Sequence, residues 1–240
     1  MSNTALHIVI TGASRGIGFE TAVRLCAMGH HVLAVSRNVS GLRQLQERVM
    51  LDNQRAQITT LPFDITDEEL EKTLLPRIRE SAPHIDILIN NAGFLVNKPF
   101  ADISSEELMQ VYTTNVFAPF RLMQLIVPLM PVSGSAHIVN IGSMGGFQGS
   151  GKFPGLSAYS SSKAALANLS ELLAEELKEK KISVNCLALG AAQTDMLAEA
   201  FPGYKAPLSA EDMSEMLAWF AVNGQKFFNG KVLPVALSTP

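Results

Sequence analysis

The stretch Leu6-His7-Ile8-Val9-Ile10-Thr11-Gly12-Ala13-Ser14-Arg15-Gly16-Ile17-Gly18 decides the fold. Its first half is an aliphatic, β-branched run without steady polar alternation, the pattern of a strand covered on both faces. Its second half is a turn with three glycines that leads into a helical pattern over 16–28. Glycine lets the backbone turn tightly and approach a ligand closely. A helix N-terminus adds free N–H groups and a positive dipole end, which together suit a phosphate. Gly12, Ser14, Arg15, Gly16, Ile17 and Gly18 are therefore candidate binding residues. Three residues separate the first two glycines, where the dinucleotide fingerprint G-x-G-x-x-G has one.

The same strand-then-helix rhythm continues along the chain. Strands are predicted at Leu6–Thr11, His31–Ser36, Gln57–Phe63, Ile85–Ile89, Ala136–Ile141, Ile182–Leu187 and Val232–Val235, with helices at about 16–28, 39–52, 67–80, 105–130, 157–180 and 209–222. Capping boxes are expected at Thr66 with Glu69 and at Ser104 with Glu107. This alternation predicts an α/β chain with a Rossmann-type, doubly wound, mainly parallel sheet of seven strands in the order 3-2-1-4-5-6-7, helices on both faces. One domain over 1–240 accounts for all of it, with the least periodic stretch, 191–207, as a short lid over the ligand edge.

Composition narrows the function class. Hydrophobic residues make up 47% of the 240 and charged residues 17%, as in a globular chain. A net charge of −3 leaves no basic face for nucleic acid or anionic lipid. No apolar run reaches the roughly 18 residues a membrane-spanning helix needs. Met1-Ser2-Asn3-Thr4 runs straight into the first strand without the charged and apolar regions of a secretory signal. Cys26 and Cys186 both sit in apolar periodic segments and are expected as buried thiols. The expectation is a cytoplasmic protein with no nucleic-acid or membrane partner and no metal in its site.

The second strand ends in Val35-Ser36-Arg37-Asn38, with no acid for a ribose 2′-hydroxyl. Arg37 is instead a planar fork donor suited to a 2′-phosphate, and Arg15 could flank it. NADP(H) is therefore expected over NAD(H).

Tyr159-Ser160-Ser161-Ser162-Lys163 opens the helix 157–180, and residues four apart share a helix face. The Lys163 ammonium beside Tyr159 is expected to lower the phenol from its reference pKa near 10, making it a proton donor to a carbonyl or a base in the reverse direction. Ser143, after the fifth strand, is placed to hydrogen-bond a carbonyl oxygen. Asn115 is a lone amide in an apolar helical stretch, and Asn90-Asn91-Ala92-Gly93 ends the fourth strand at the ligand edge.

Taken together, the turn Thr11–Gly18, Asn90–Gly93, Asn115, Ser143 and Tyr159 with Lys163 resemble the motif set of the short-chain dehydrogenases/reductases, in order and spacing, over nearly the whole chain. The resemblance implies that Tyr159 donates the proton and Ser143 polarises the carbonyl. It implies that Lys163 binds the nicotinamide ribose and Asn115 holds a proton-relay water. Asp64 and Ile65 would line the adenine, Asn91, Ala92 and Gly93 the adenosine side, and Gly190, Ala192 and Thr194 the nicotinamide amide. It further implies a small-molecule carbonyl or alcohol substrate and a homodimer or homotetramer built through 105–130 and 157–180.

The chain departs from the family pattern in places. Leu189-Gly190 stands where the family has Pro-Gly, which predicts a looser turn. The stretch between Ser143 and Tyr159 carries five glycines, and the C-terminal segment lacks Asp-Gly-Gly. Met144, Phe147, Phe153, Met196, Phe201 and Tyr204 point to a hydrophobic substrate or to loop packing. A 3-oxoacyl-thioester (acyl-carrier-protein) reductase and a non-catalytic cofactor-binding regulator stay open as alternatives.

Overall fold

The computed structural model describes residues 5–132 and 136–237; the N-terminal expectation on Met1–Thr4 lies outside them. The strands are β1 (His7–Thr11), β2 (His31–Ser36), β3 (Gln57–Pro62), β4 (Ile87–Asn90), β5 (His137–Ser143), β6 (Ser183–Leu189), β7 (Ala192–Gln193), β8 (Leu208–Ser209) and β9 (Val232–Val235). The helices are α1 (Gly16–Ala27), α2 (Val39–Asp52), α3 (Leu70–Ser81), α4 (Ser105–Tyr112), α5 (Ala118–Ile126), α6 (Ser157–Glu176), α7 (Asp195–Ala200) and α8 (Ala210–Asn223).

Seven strands form one parallel sheet in the order β3-β2-β1-β4-β5-β6-β9, the topology expected, with β9 as its seventh strand. Side chains alternate across it. Ile8, Ile10, Val32 and Ala34 pack with Leu25 of α1, Leu42 of α2 and Leu217 and Phe220 of α8. Val9, Leu33 and Val35 face the other way, against Leu74 of α3, Leu122 of α5 and Ala174 of α6. Each fully buried aliphatic side chain contributes about 1.5–3 kcal/mol, so a sheet covered on both faces is where this chain gains most. Strand order reverses between β1 and β4, which opens a crevice at their C-terminal ends. Among the described residues no helix is long and apolar enough to cross a membrane. Cys26 and Cys186 are buried and free.

Several local expectations are corrected. The predicted helix 105–130 is broken: α4 passes into a π-turn at Thr113–Phe117, then α5, then a 3₁₀ turn at Val127–Leu129. Pro119 accounts for the break, because it lacks the N–H that an unbroken α-helix would donate to the Asn115 carbonyl. Ser104 and Glu107 do form a capping box, but Thr66 and Glu69 do not. Thr66 gives its N–H and hydroxyl to Asp64 Oδ1, at 3.0 and 2.7 Å, and α3 starts only at Leu70. Asp64 takes the Thr66 N–H and Asp67 Oδ1 the Glu69 N–H, at 2.8 Å, the two donors that a capping box would have used. An unforeseen box, Ser209 with Asp212, starts α8. The stretch 191–207 is more ordered than its sequence pattern predicts: it contains α7, and β7 pairs with β8 across it. The turn after β6 is not loosened by the missing proline. Leu189 extends the ladder opposite Ser143 and Val235, and Gly190 N donates to Val235 O at 2.9 Å.

Candidate active site

The glycine turn is shaped by contacts that exclude larger residues. Gly12 and Gly16 adopt φ of +69° and +60°, a region costly for residues with a Cβ. A Cβ on Gly12 would also lie 2.8 Å from Ala92 Cα. Across the crevice, Asn91 Nδ2 donates to Thr11 O at 2.9 Å and Gly12 O at 3.2 Å, while the N–H groups of Asn91 and Ala92 both donate to Thr11 Oγ1 at 3.1 Å. The ends of β1 and β4 are thus stitched together. No side chain caps the start of α1, so its first N–H groups face the crevice as donors for an anion. Ser36 Oγ donates to Ser14 Oγ at 2.8 Å, tying the turn to the end of β2.

The two arginines are held differently. Arg37 Nη1 lies 3.4 Å from Asp64 Oδ2, with its side chain largely in solvent. Burial pushes the Asp64 carboxyl up, but hydrogen bonds from Thr66 and the nearby Arg37 outweigh this and hold it below its ordinary range. Arg15 reaches across to α7, with Nη1 3.5 Å from Asp195 Oδ2 and 3.4 Å from Glu199 Oε1.

Ser143 ends β5, and Tyr159 and Lys163 come from the first two turns of α6. Lys163 is 3% exposed; its Nζ donates to Ile141 O at 2.8 Å and sits 5.8 Å from the centre of the Tyr159 ring. Burial pulls the Lys163 ammonium down to about 8, with Cys186 acting the other way. The expected lowering of Tyr159 is corrected. Burial pushes its phenol above the usual tyrosine range, and only a hydrogen bond with Ser143 pulls it back. The reason is that burial, which penalises the charged phenolate, is the largest influence on the phenol.

Asn115 lies in the π-turn and is fully buried. Its Oδ1 accepts from Phe94 N at 2.8 Å, and its Nδ2 donates to Phe94 O at 2.9 Å and to Ser162 Oγ at 2.9 Å. The side chain therefore clamps the loop after β4 to α6, with both amide N–H groups used.

These features open on a cavity of about 670 Å³, within the size range of small-molecule sites. Gly12, Ser14, Arg15, Gly16, Ile17, Gly18, Arg37, Asp64, Ile65, Asn91, Ala92, Gly93, Ser143, Tyr159, Lys163, Gly190, Ala192 and Thr194 all line it. Of the expected catalytic and cofactor residues, Asn115 alone stands behind the wall. The wall also includes Ser36, Thr66, Thr114, Ala236 and Leu237, which sequence reasoning missed. For Ser36 and Thr66 the signal was there: small hydroxyl residues at the last position of β2 and four residues past the end of β3. Met144, Phe153, Leu156, Met196, Phe201 and Tyr204 form the apolar mouth, whereas Phe147 is not in the lining. A dinucleotide fits this donor set: a glycine cradle, an uncapped helix start and a crevice at the reversal of strand order.

The short chain dehydrogenase family model matches residues 6–205. A ketoacyl reductase, HetN, of Nostoc is 34% identical over 194 residues, covering 80% of this chain and 66% of that one. The 3-oxoacyl-[acyl-carrier-protein] reductase FabG of Escherichia coli is 28% identical, over 95% of this chain and 94% of the other. A solved short chain dehydrogenase of Shigella flexneri complexed with NADP superposes with a TM-score of 0.85 at 29% identity, covering 95% of this chain and 96% of that one. The chain belongs to the short-chain dehydrogenase/reductase family and is an oxidoreductase of that family.

Proposed function

We propose that the protein is a cytoplasmic, NADPH-dependent reductase of small hydrophobic carbonyl compounds, also able to oxidise the corresponding alcohols. It works as one domain over 1–240, with 191–207 as a short lid. The observation that carries this is the single cavity lined by the glycine turn, Arg37 and the Ser143–Tyr159–Lys163 group.

When bound, the dinucleotide supplies hydride from nicotinamide C4 to the carbonyl carbon. The chain's own residues do the rest. Ser143 hydrogen-bonds the carbonyl oxygen, and Tyr159, kept protonated by burial, hands it the proton as negative charge develops there. Lys163 binds the nicotinamide ribose from its buried seat on Ile141. Asn115 positions the Phe94 loop and Ser162 and so keeps α6 in register with that loop. Gly12, Ser14, Gly16, Ile17 and Gly18 hold the pyrophosphate, with Asp64, Ile65, Asn91, Ala92 and Gly93 along the adenosine. Gly190, Ala192 and Thr194 take the nicotinamide amide.

NADP is preferred because Arg37 is a solvent-facing fork donor at the end of β2, where no carboxylate from that strand competes for the ribose. The apolar mouth from Met144 to Tyr204 favours a hydrophobic substrate. Exposed Leu108, Met109, Phe117, Phe120 and Leu172, along α4, the π-turn, α5 and α6, support a homodimer or homotetramer through those helices. A second reading, reduction of a 3-oxoacyl thioester, is favoured by the ketoacyl reductases among the relatives. The test is turnover of NADPH and NADH against diketones, aromatic ketones, quinones and a 3-oxoacyl thioester. NADPH-dependent turnover supports the proposal and its preferred panel member names the substrate. Turnover with NADH alone overturns the Arg37 argument.

A further inference from the structure

The edge of the sheet opposite the crevice carries an unusual concentration of histidines: His7 and His31 at the starts of β1 and β2, His30 before β2 and His84 before β4. Two of them are already used. His30 Nδ1 accepts from Leu6 N at 3.3 Å, and His31 Nε2 lies 2.9 Å from Thr59 Oγ1. His7 and His84 instead converge on Asp86, a buried carboxylate at the entry to β4. His7 Nδ1 lies 3.7 Å and His84 Nε2 3.3 Å from Asp86 Oδ2. One donor atom from each of the three side chains falls within 4.8 Å of the others. His7 Nδ1 is buried and, among the described residues, has no hydrogen-bond partner. Buried polar atoms are normally satisfied, so an orphaned imidazole nitrogen aimed at a carboxylate calls for an explanation.

We propose that His7, His84 and Asp86 form a site for a divalent transition-metal ion of the zinc class. Two imidazoles and one carboxylate with a water in the fourth position are an ordinary zinc ligand set. A tetrahedral ion with bonds near 2.0–2.2 Å holds its ligand atoms roughly 3.3–3.6 Å apart, close to the two imidazole–carboxylate separations of 3.7 and 3.3 Å. The carboxylate is already oriented, because His7 N donates to Asp86 Oδ2 at 2.8 Å while Asp86 N donates to His7 O at 2.9 Å. Such backbone support is the outer shell that a metal-ligating carboxylate requires. The ion satisfies the orphaned nitrogen and clips the starts of β1 and β4 together, at the opposite end of the strands from the reaction. The site is structural and independent of the proposed substrate.

The test uses the full chain, free of any affinity tag and stripped with chelator, titrated calorimetrically with zinc chloride. Cobalt(II) absorption serves as the report on coordination. His84 is half-exposed, so His84→Ala leaves the fold intact, as circular dichroism checks. One zinc ion per chain, bound at least tenfold more weakly by His84→Ala, with a tetrahedral cobalt spectrum lost in that variant, is the expected result. No saturable binding, or binding that is unchanged in His84→Ala, overturns the proposal; the second outcome would place the ion elsewhere.

Discussion

Lys163 Nζ donates to the main-chain carbonyl of Ile141 at 2.8 Å, which fixes a buried ammonium between β5 and α6. Holding that charge out of water lowers its pKa to about 8. The lowered value means that the unfolded chain binds more protons than the folded one above that pH. The stability contributed by this group therefore rises from about pH 8 up to the ordinary lysine value. Lys163→Met lacks this rise. The Tm advantage of the variant over the natural chain, followed by calorimetry from pH 7 to 10, is expected to shrink as pH increases.

Tyr159 carries the complementary expectation. Burial raises its phenol, so in the cofactor-free protein it should yield no phenolate below about pH 10. The chain has only three tyrosines, so the ultraviolet difference titration between the natural chain and Tyr159→Phe isolates this group. A phenolate signal near neutral pH would show that Lys163 acts on the phenol more strongly than its geometry implies.

Arg37 is expected to govern the choice of dinucleotide. Hydrogen bonds to a charged group contribute about 1.5–3 kcal/mol, so Arg37→Ala should raise KM for NADPH roughly tenfold or more. KM for NADH and kcat with either should change little, which initial-rate kinetics will show.

Asn115 should matter for stability as much as for turnover. Its amide satisfies Phe94 N, Phe94 O and Ser162 Oγ in a fully buried position. Asn115→Ala removes the partners of Phe94 N and O, while Ser162 Oγ keeps its bond to Tyr159 O, and should cost about 2–4 kcal/mol in urea unfolding. Asn115→Asp keeps the Oδ1 acceptor but loses the two donated bonds, and it is expected to destabilise as well.

Much of this was legible in residue order. The β-branched runs, the glycine turn and the Tyr159–Lys163 spacing are local signals, and they located the seven-stranded sheet and every expected catalytic and cofactor residue of the cavity wall except Asn115. What was hidden depends on contacts distant in sequence. The clamp of Asn115 on Phe94 and the ion pairs from Arg15 to Asp195 and Glu199 join segments no periodicity links. The same holds for the network in which Asn90 Nδ2 donates to Asn140 Oδ1 at 2.8 Å and Asn140 Nδ2 to Ser170 Oγ at 2.9 Å. The break in the helix 105–130 had a local sign in Pro119 that apolar periodicity masked. The direction of the Tyr159 shift needed burial, which no spacing reveals.

The central claim is that Tyr159 is the proton donor of an NADPH-dependent reduction. Its most direct test compares the natural chain with Tyr159→Phe for NADPH binding by fluorescence and for turnover on the preferred carbonyl substrate. Binding within a few-fold of the natural chain is expected, with kcat reduced about 10²–10⁴-fold, the usual contribution of a positioned acid. Turnover that persists undiminished in Tyr159→Phe would contradict it.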